Sequence, residues 1–113
     1  MTQLSSSNKL SLIIPLYNEK GNLEELVLDT ENSLKNISND SEVIFIDDGS
    51  TDGSLQLLID LCKNKPHFKL ISFRRNFGQT AAMSAGIKYS TGDIIVFMDA
   101  DLQNDPADIP ALI

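Results

Sequence analysis

This sequence predicts an α/β chain with a mostly parallel sheet, and three observations predict it. Four short apolar runs, Leu10–Leu16, Glu42–Ile46, Phe68–Phe73 and Ile94–Met98, are separated by segments of helical period. The runs are rich in β-branched and aromatic residues with little polar alternation, which is the pattern of strands buried on both faces. Strand and helix alternate four times without an internal repeat or a linker, as in sheets built from right-handed crossovers.

In chain order, Leu10–Leu16 is the first strand, and Pro15 near its end fits a sheet edge or a strand terminus. Tyr17-Asn18-Glu19 forms a loop. Leu23, Leu26, Val27, Thr30, Leu34 and Ile37 then recur at helical spacing, with Asn18 or Asn22 as cap and Asn22 with Glu25 resembling a capping box. The second strand runs into Asp47-Asp48-Gly49-Ser50. Ser50 or Thr51 is placed to cap the next helix, with Asp52 favourable near its positive end. Leu55, Leu58, Leu61 and Cys62 form that helix's inner face, and Lys63–Pro66 closes it. After the third strand come the loop Arg74–Gln79 and a helix over Thr80–Tyr89. Its small residues, Ala81, Ala82, Ser84, Ala85 and Gly86, allow close approach to the sheet. Thr91-Gly92-Asp93 turns into the fourth strand. Asp105-Pro106 announces one more helix, with Pro at its first position.

Composition bounds the function. The chain has 113 residues, enough for one domain, with 42% apolar and 22% charged residues. A net charge of −7 gives no electrostatic case for nucleic acid or an anionic membrane as partner. A single cysteine, Cys62, excludes an internal disulfide and a cysteine-based metal cluster, and its leucine-rich setting reads as core. One unpaired thiol also suits a reducing, cytoplasmic compartment. Residues 1–9 read as a polar tail without an apolar signal core, and no apolar run approaches the roughly 20 residues of a membrane span. The chain stops at Ile109-Pro110-Ala111-Leu112-Ile113, soon after a helix start signal, so residues 10–113 are expected to be the N-terminal part of something longer.

In a parallel sheet the loops after all four strands share one edge. Here that edge carries Tyr17-Asn18-Glu19, Asp47-Asp48-Gly49-Ser50, Arg74-Arg75 and Asp99-Ala100-Asp101-Leu102-Gln103. Asp99 and Asp101, one residue apart at a strand mouth, repel each other unless a cation sits between them. Mg²⁺ or Mn²⁺, hard ions with oxygen ligands, suit that place and would grip a phosphate-bearing substrate. Tyr17, Glu19 and Asp48 can hold a base and ribose, and Arg74 or Arg75 can meet phosphate oxygens bidentately. Taken singly, each feature has a plainer reading: a solvated acidic turn, a half-buried loop aromatic, a helix cap, an exposed arginine pair. His67 has no partner by spacing and reads as surface. The phosphate-cradling G-x-G-x-x-G and G-x-x-x-x-G-K-[ST] loops are absent, which weighs against a dinucleotide oxidoreductase and a P-loop NTPase.

Ile13–Glu19, Ile46–Asp52 and Met98–Pro106 together resemble the family 2 glycosyltransferases. The last motif, with Arg75-Asn76-Phe77-Gly78-Gln79, is similar to the branch that transfers sugars to polyprenyl or dolichol phosphate. The resemblance covers nearly the whole chain from Leu10 onward. It implies a Rossmann-like GT-A fold, here truncated, and inverting transfer from a UDP- or GDP-linked sugar, with a lipid phosphate as acceptor. It further implies Pro15, Tyr17, Asn18, Glu19, Asp47, Asp48, Arg75, Gly78, Asp99 and Ala100 as donor-binding positions. Asp99 and Asp101 are implied as catalytic, and Asp99, Asp101 and Gln103 as positions for Mg²⁺ or Mn²⁺. A full-length protein of this kind is expected to work at the cytoplasmic face of a membrane, with homo-oligomerisation one option. Two alternatives stand beside it. One is a fragment that binds donor without transferring sugar. The other is a D-x-D phosphohydrolase, in which the motif normally follows the first strand and not the fourth.

Overall fold

The computed structural model describes residues 8–37 and 40–100 of the chain. Asp101, Gln103 and the helix expected after Asp105 therefore lie outside the described residues. Among the described residues four strands form one parallel sheet: β1 (Leu10–Leu16), β2 (Ser41–Asp47), β3 (Phe68–Ser72) and β4 (Ile94–Phe97), in the order β3-β2-β1-β4. Three helices connect them: α1 (Leu23–Leu34), α2 (Ser54–Cys62) and α3 (Gln79–Tyr89).

The period of two along β1 divides the core. Leu10, Leu12, Ile14 and Leu16 share one face with Val43 and Phe45, and Leu23, Leu26, Val27, Leu34 and Leu58 of α1 and α2 cover them. Ile13 shares the opposite face with Ile44 and Ile46, against Ala82 of α3. Each fully buried Leu or Ile contributes about 1.5–3 kcal/mol. The small-residue stripe of α3 does bring that helix close. A Cβ on Gly86 would lie 2.4 Å from Ile13 Cγ2 and 3.1 Å from Ile46 Cδ1.

The chain moves outward through α1 and α2 on one face, from β1 to β2 to β3. It then crosses back beneath α3 on the other face to place β4 beside β1. Right-handed crossovers require that change of face when the direction of travel reverses. The reversal makes the gap between the carboxyl ends of β1 and β4 the switch point of the sheet.

Three local expectations are corrected, and a fourth, on Pro15, resolves between its two alternatives. β4 is not buried on both faces: Ile95 and Phe97 are 38% and 39% exposed. Among the described residues it is an edge strand, and α3 packs on β1 and β2. For Pro15 the terminus alternative holds: β1 lies between β2 and β4, and Pro15 is its next-to-last residue. Odd residues of β1 face β4, whose register with β1 ends at Ile13↔Phe97, so the missing N–H of Pro15 falls beyond that ladder. The capping box does not form. A 3₁₀ turn, Lys20–Asn22, leads into α1 and holds Asn22 at φ −105°, ψ −10°, and its amide side chain donates instead to Glu19 Oε2 at 2.8 Å. Capping from that position needs extended backbone. Finally, α2 begins at Ser54 after Gly53, so Ser50 and Thr51 do not cap it. Asp52 Oδ1 accepts from the Ser54 amide at 2.9 Å, and that hydrogen-bonded turn carries the chain into the helix.

Candidate functional site

The carboxyl ends of the strands border a cavity of about 310 Å³ at the switch point between β1 and β4. Its lining comes from the end of β1, the four segments that follow the strands and the first residue of α3: Pro15, Leu16, Tyr17 and Glu19; Asp48; Asn76, Gly78 and Gln79; and Asp99 with Ala100. Open α/β sheets place ligands in such crevices, and the volume falls at the lower end of small-molecule sites.

Of the residues expected from the sequence, Pro15, Tyr17, Glu19, Asp48, Gly78, Asp99 and Ala100 are brought together around this cavity. Tyr17 is 44% exposed, so its ring is open to a ligand. Glu19 is held by Asn22 Nδ2, and its backbone amide donates to Ser54 Oγ at 3.2 Å.

Asn18, Asp47 and Arg75 are not among the lining residues. Asn18 ties two loops together. Its amide donates to Ser50 Oγ at 2.9 Å and its Oδ1 accepts from the Thr51 amide at 2.7 Å. Its φ of +53° is a conformation that asparagine tolerates better than most residues. Asp47 is buried, and its Oδ2 accepts from the Ser50 amide at 3.3 Å. The Arg75 guanidinium lies 4.8 Å from the centroid of the Phe77 ring, a cation–π contact on the exposed side of the loop. Phe77 in turn stands edge-on to Phe73 at 5.6 Å.

Asn76 and Gln79 line the cavity although the sequence singled them out only as part of a motif. Their signal was the motif's position directly before α3, which brings the start of that helix to the same rim.

Among the described residues the lining carries the carboxylates of Glu19, Asp48 and Asp99 and no Lys or Arg. An anionic ligand would settle there only with a cation, and carboxylate oxygens are the donors that Mg²⁺ and Mn²⁺ prefer. Asp48 is already engaged with backbone amides of Phe77 and Gly78, which leaves Asp99 as the better placed described ligand. Among the described residues no group of three His, Cys, Asp or Glu side chains is close enough to hold a metal by itself. Cys62 plays no part here. It packs against the core, and burial pushes its thiol up to about 11.

Residues 11–113 match the family model described as glycosyl transferase family 2. The chain is 40% identical over 114 residues to an undecaprenyl-phosphate 4-deoxy-4-formamido-L-arabinose transferase of Enterobacter sp. (strain 638), covering all of this chain and 35% of that protein. Among solved structures, it matches the mannosyltransferase PcManGT of Pyrobaculum calidifontis in complex with GDP-Man and Mn²⁺ (TM-score 0.72, 27% identity, 84% of this chain and 28% of that one). It also matches S. aureus TarS 1–349 in complex with UDP (TM-score 0.64, 30% identity, 82% of this chain and 27% of that one). The chain thus spans between about a quarter and about a third of the length of these proteins.

Proposed function

The chain belongs to glycosyl transferase family 2 and has the GT-A fold, and from that premise we propose that it forms the donor-binding part of an inverting glycosyltransferase acting on a polyprenyl phosphate. One observation carries the reading. Loops far apart in sequence converge on the cavity at the β1–β4 switch point, and its carboxylate lining suits a metal-bound diphosphate. The donor is a UDP- or GDP-linked sugar. Solved structures similar to this chain hold GDP-Man and UDP, and a relative is named for transfer to undecaprenyl phosphate.

Tyr17 offers a ring face to the base, and Pro15 with Leu16 forms the apolar floor beneath it. Glu19 accepts hydrogen bonds from ribose hydroxyls or a base N–H. Asp99, with Asp101 and Gln103 beyond the described residues, would hold Mg²⁺ or Mn²⁺. That ion, when bound, supplies the positive charge that the leaving diphosphate needs. The chain's own share of the rate is positioning: fixed loops on a rigid sheet orient the donor and take up its conformational freedom.

A lipid-phosphate acceptor is anionic at neutral pH, so its oxygen attacks the sugar without a strong general base. The cavity fits that chemistry, since no His lines it. His67, the chain's one histidine, precedes β3 and so lies at the amino-terminal edge of the sheet. Such an acceptor places the reaction at the cytoplasmic face of a membrane. Among the described residues no helix is long and apolar enough to cross one. Family membership leaves no support for the phosphohydrolase alternative. Donor binding without transfer remains a specific second reading, because the chain spans only 35% of its curated relative.

Calorimetric titration with UDP-GlcNAc and with GDP-mannose, each with and without Mn²⁺, tests the reading. Saturable, Mn²⁺-dependent binding of at least one is expected. No binding of either would overturn it. Transfer of labelled sugar to undecaprenyl phosphate then separates an active enzyme from a donor-binding part.

A further inference from the structure

The segment after β2 is only partly used by the cavity. Ser50, Thr51, Asp52 and Ser54 do not line it. Their side chains turn instead toward the loop after β1. Three consecutive amides of that loop donate to them: Asn18 N–H to Ser50 Oγ at 2.9 Å, Glu19 N–H to Ser54 Oγ at 3.2 Å and Lys20 N–H to Asp52 Oδ2 at 3.2 Å. Bonds also run between Thr51 and the Asn18 side chain. The Thr51 amide donates to Asn18 Oδ1 at 2.7 Å, and Asn18 Nδ2 donates to Thr51 Oγ1 at 3.4 Å. The acceptors are themselves fixed, because Ser54 is fully buried at the start of α2 and its amide donates to Asp52 Oδ1. Asn18 has φ +53° and stands between two residues of the cavity wall, Tyr17 and Glu19.

From this geometry we infer that Asn18 is a positioning residue: with residues 50–54 it closes a clasp between the loops after β1 and β2, and the clasp sets where Tyr17 and Glu19 stand at the cavity rim. Tyr17 is 44% exposed, so its own packing holds it weakly and its place depends on the backbone that carries it. A loop held at three consecutive amides keeps little freedom to lose when a ligand arrives, which favours binding. Successive amides of a turn can also form a concavity for anions. Here the chain's own side chains occupy them, so this loop offers the site Tyr17 and Glu19 and not a phosphate cradle. The inference rests on the donor-binding reading above for its functional consequence, but the clasp itself is testable without any donor.

Hydrogen exchange followed by NMR reads the clasp directly. In the unsubstituted protein the Thr51 amide is expected to be protected although its residue is exposed. Asn18→Gly keeps the left-handed backbone accessible and removes the side chain. Exchange at Thr51 should then rise about threefold to tenfold, the range that one hydrogen bond is worth. Asn18→Asp keeps the acceptor oxygen and tolerates the same φ, so Thr51 should stay protected. An unprotected Thr51 amide in the unsubstituted protein would overturn the clasp, whether or not any variant folds. So would exchange that Asn18→Gly leaves unchanged.

The functional arm measures the dissociation constant of UDP-GlcNAc or GDP-mannose with Mn²⁺. Asn18→Gly should weaken binding about threefold to tenfold as the rim loop regains its freedom. Ser50→Ala, which removes an acceptor on the far side of the clasp, should weaken it in the same direction, and Asn18→Asp should restore part of the affinity. Double-substitution cycles pair Asn18→Gly with Tyr17→Ala and, separately, with Glu19→Ala. Action through the rim predicts that in at least one cycle the combined loss is smaller than the product of the separate losses, because a displaced side chain has little left to lose. Losses that simply multiply in both cycles would mean that Asn18 meets the donor itself, and would overturn the positioning role. Unchanged affinity in a folded Asn18→Gly protein would overturn it too; if that variant does not fold, unchanged affinity in Ser50→Ala decides in the same way. If the unsubstituted protein binds neither donor, the transferase reading fails and takes the functional consequence with it, while Thr51 protection still decides the clasp.

Discussion

Replacing Glu42 by Gln should destabilise the fold by about 2–3 kcal/mol at neutral pH, at the end of the sheet away from the cavity. Glu42 is 2% exposed on the α3 face of β2. Ser11 Oγ donates to it at 2.6 Å and the Thr91 amide at 2.6 Å, and Lys69 Nζ donates to its other oxygen. The Gly92 amide donates to the same Ser11 hydroxyl at 2.8 Å. This buried group therefore joins β1, β2 and β3 to the turn that launches β4. Burial by itself would raise the Glu42 pKa; the hydrogen bonds from Lys69, Ser11 and Thr91 outweigh it and hold the carboxyl at about 2, against an ordinary 4.5. The difference, 4.5 minus 2, at about 1.4 kcal/mol per unit gives a ceiling of about 3–4 kcal/mol. The expected deficit is set below that ceiling because the Lys69 side chain is 44% exposed and regains water when its partner goes.

The sign is fixed by the direction of the shift. Because the folded-state value is depressed, the contribution is complete above pH 4.5 and fades as pH falls toward 2. Urea unfolding of the unsubstituted protein and of Glu42→Gln, at pH 7 and again near pH 2.5, measures this. The gap between the two proteins should be wide at pH 7 and mostly closed at the acid end. A deficit of the same size at both pH values would mean lost packing in place of lost charge, and would refute the electrostatic argument. Donor affinity of the folded variant should stay as it was, since the cavity is at the other end of β1.

Other outcomes follow from the same structure. Gly86→Ala should lower stability by about 1–2 kcal/mol: overpacking against Ile13 costs about 1–3 kcal/mol and better helix propensity returns up to about 1; a higher unfolding midpoint would show that α3 can move off the sheet. Tyr17→Ala should weaken donor binding about tenfold, or 1.4 kcal/mol, with the circular dichroism spectrum unchanged; unaltered affinity would leave the ring outside the site. Asp101→Ala should abolish Mn²⁺-dependent donor binding, and calorimetry with and without EDTA checks it; undiminished metal-dependent affinity would remove Asp101 from the proposed ligand set.

Much of this was legible along the chain because hydrophobic period is a local signal. Leu23, Leu26, Val27, Thr30 and Leu34 recur at helical spacing, and all five are buried. The cavity was legible in outline for a different reason. Parallel strands bring the segments that follow them to one edge, so Tyr17, Asp48 and Asp99 could be grouped before any coordinates. What failed was local chemistry with several acceptable partners. Asn18, Asn22, Ser50, Thr51 and Asp52 can all terminate helices, and here Asn18 bonds across to Ser50 and Thr51 while Asn22 turns to Glu19. Which pairing wins depends on distances between loops some 30 residues apart, as |i−j| = 32 for Asn18 and Ser50 illustrates.

The alternation of strand and helix and the family motifs can thus be read from the sequence because both are written in neighbouring residues, and the shared rim follows from that alternation through the parallel sheet it implies. Only the tertiary structure decided that β4 returns to the far side of β1, leaving Ile95 and Phe97 exposed and opening the switch point. It alone decided that Arg75 stacks on Phe77 outside the cavity while Asp48 spends its charge on two backbone amides. A carboxylate's role depends on which donors the fold delivers within 3 Å of it, and those donors lie 29 and 30 positions further along the chain.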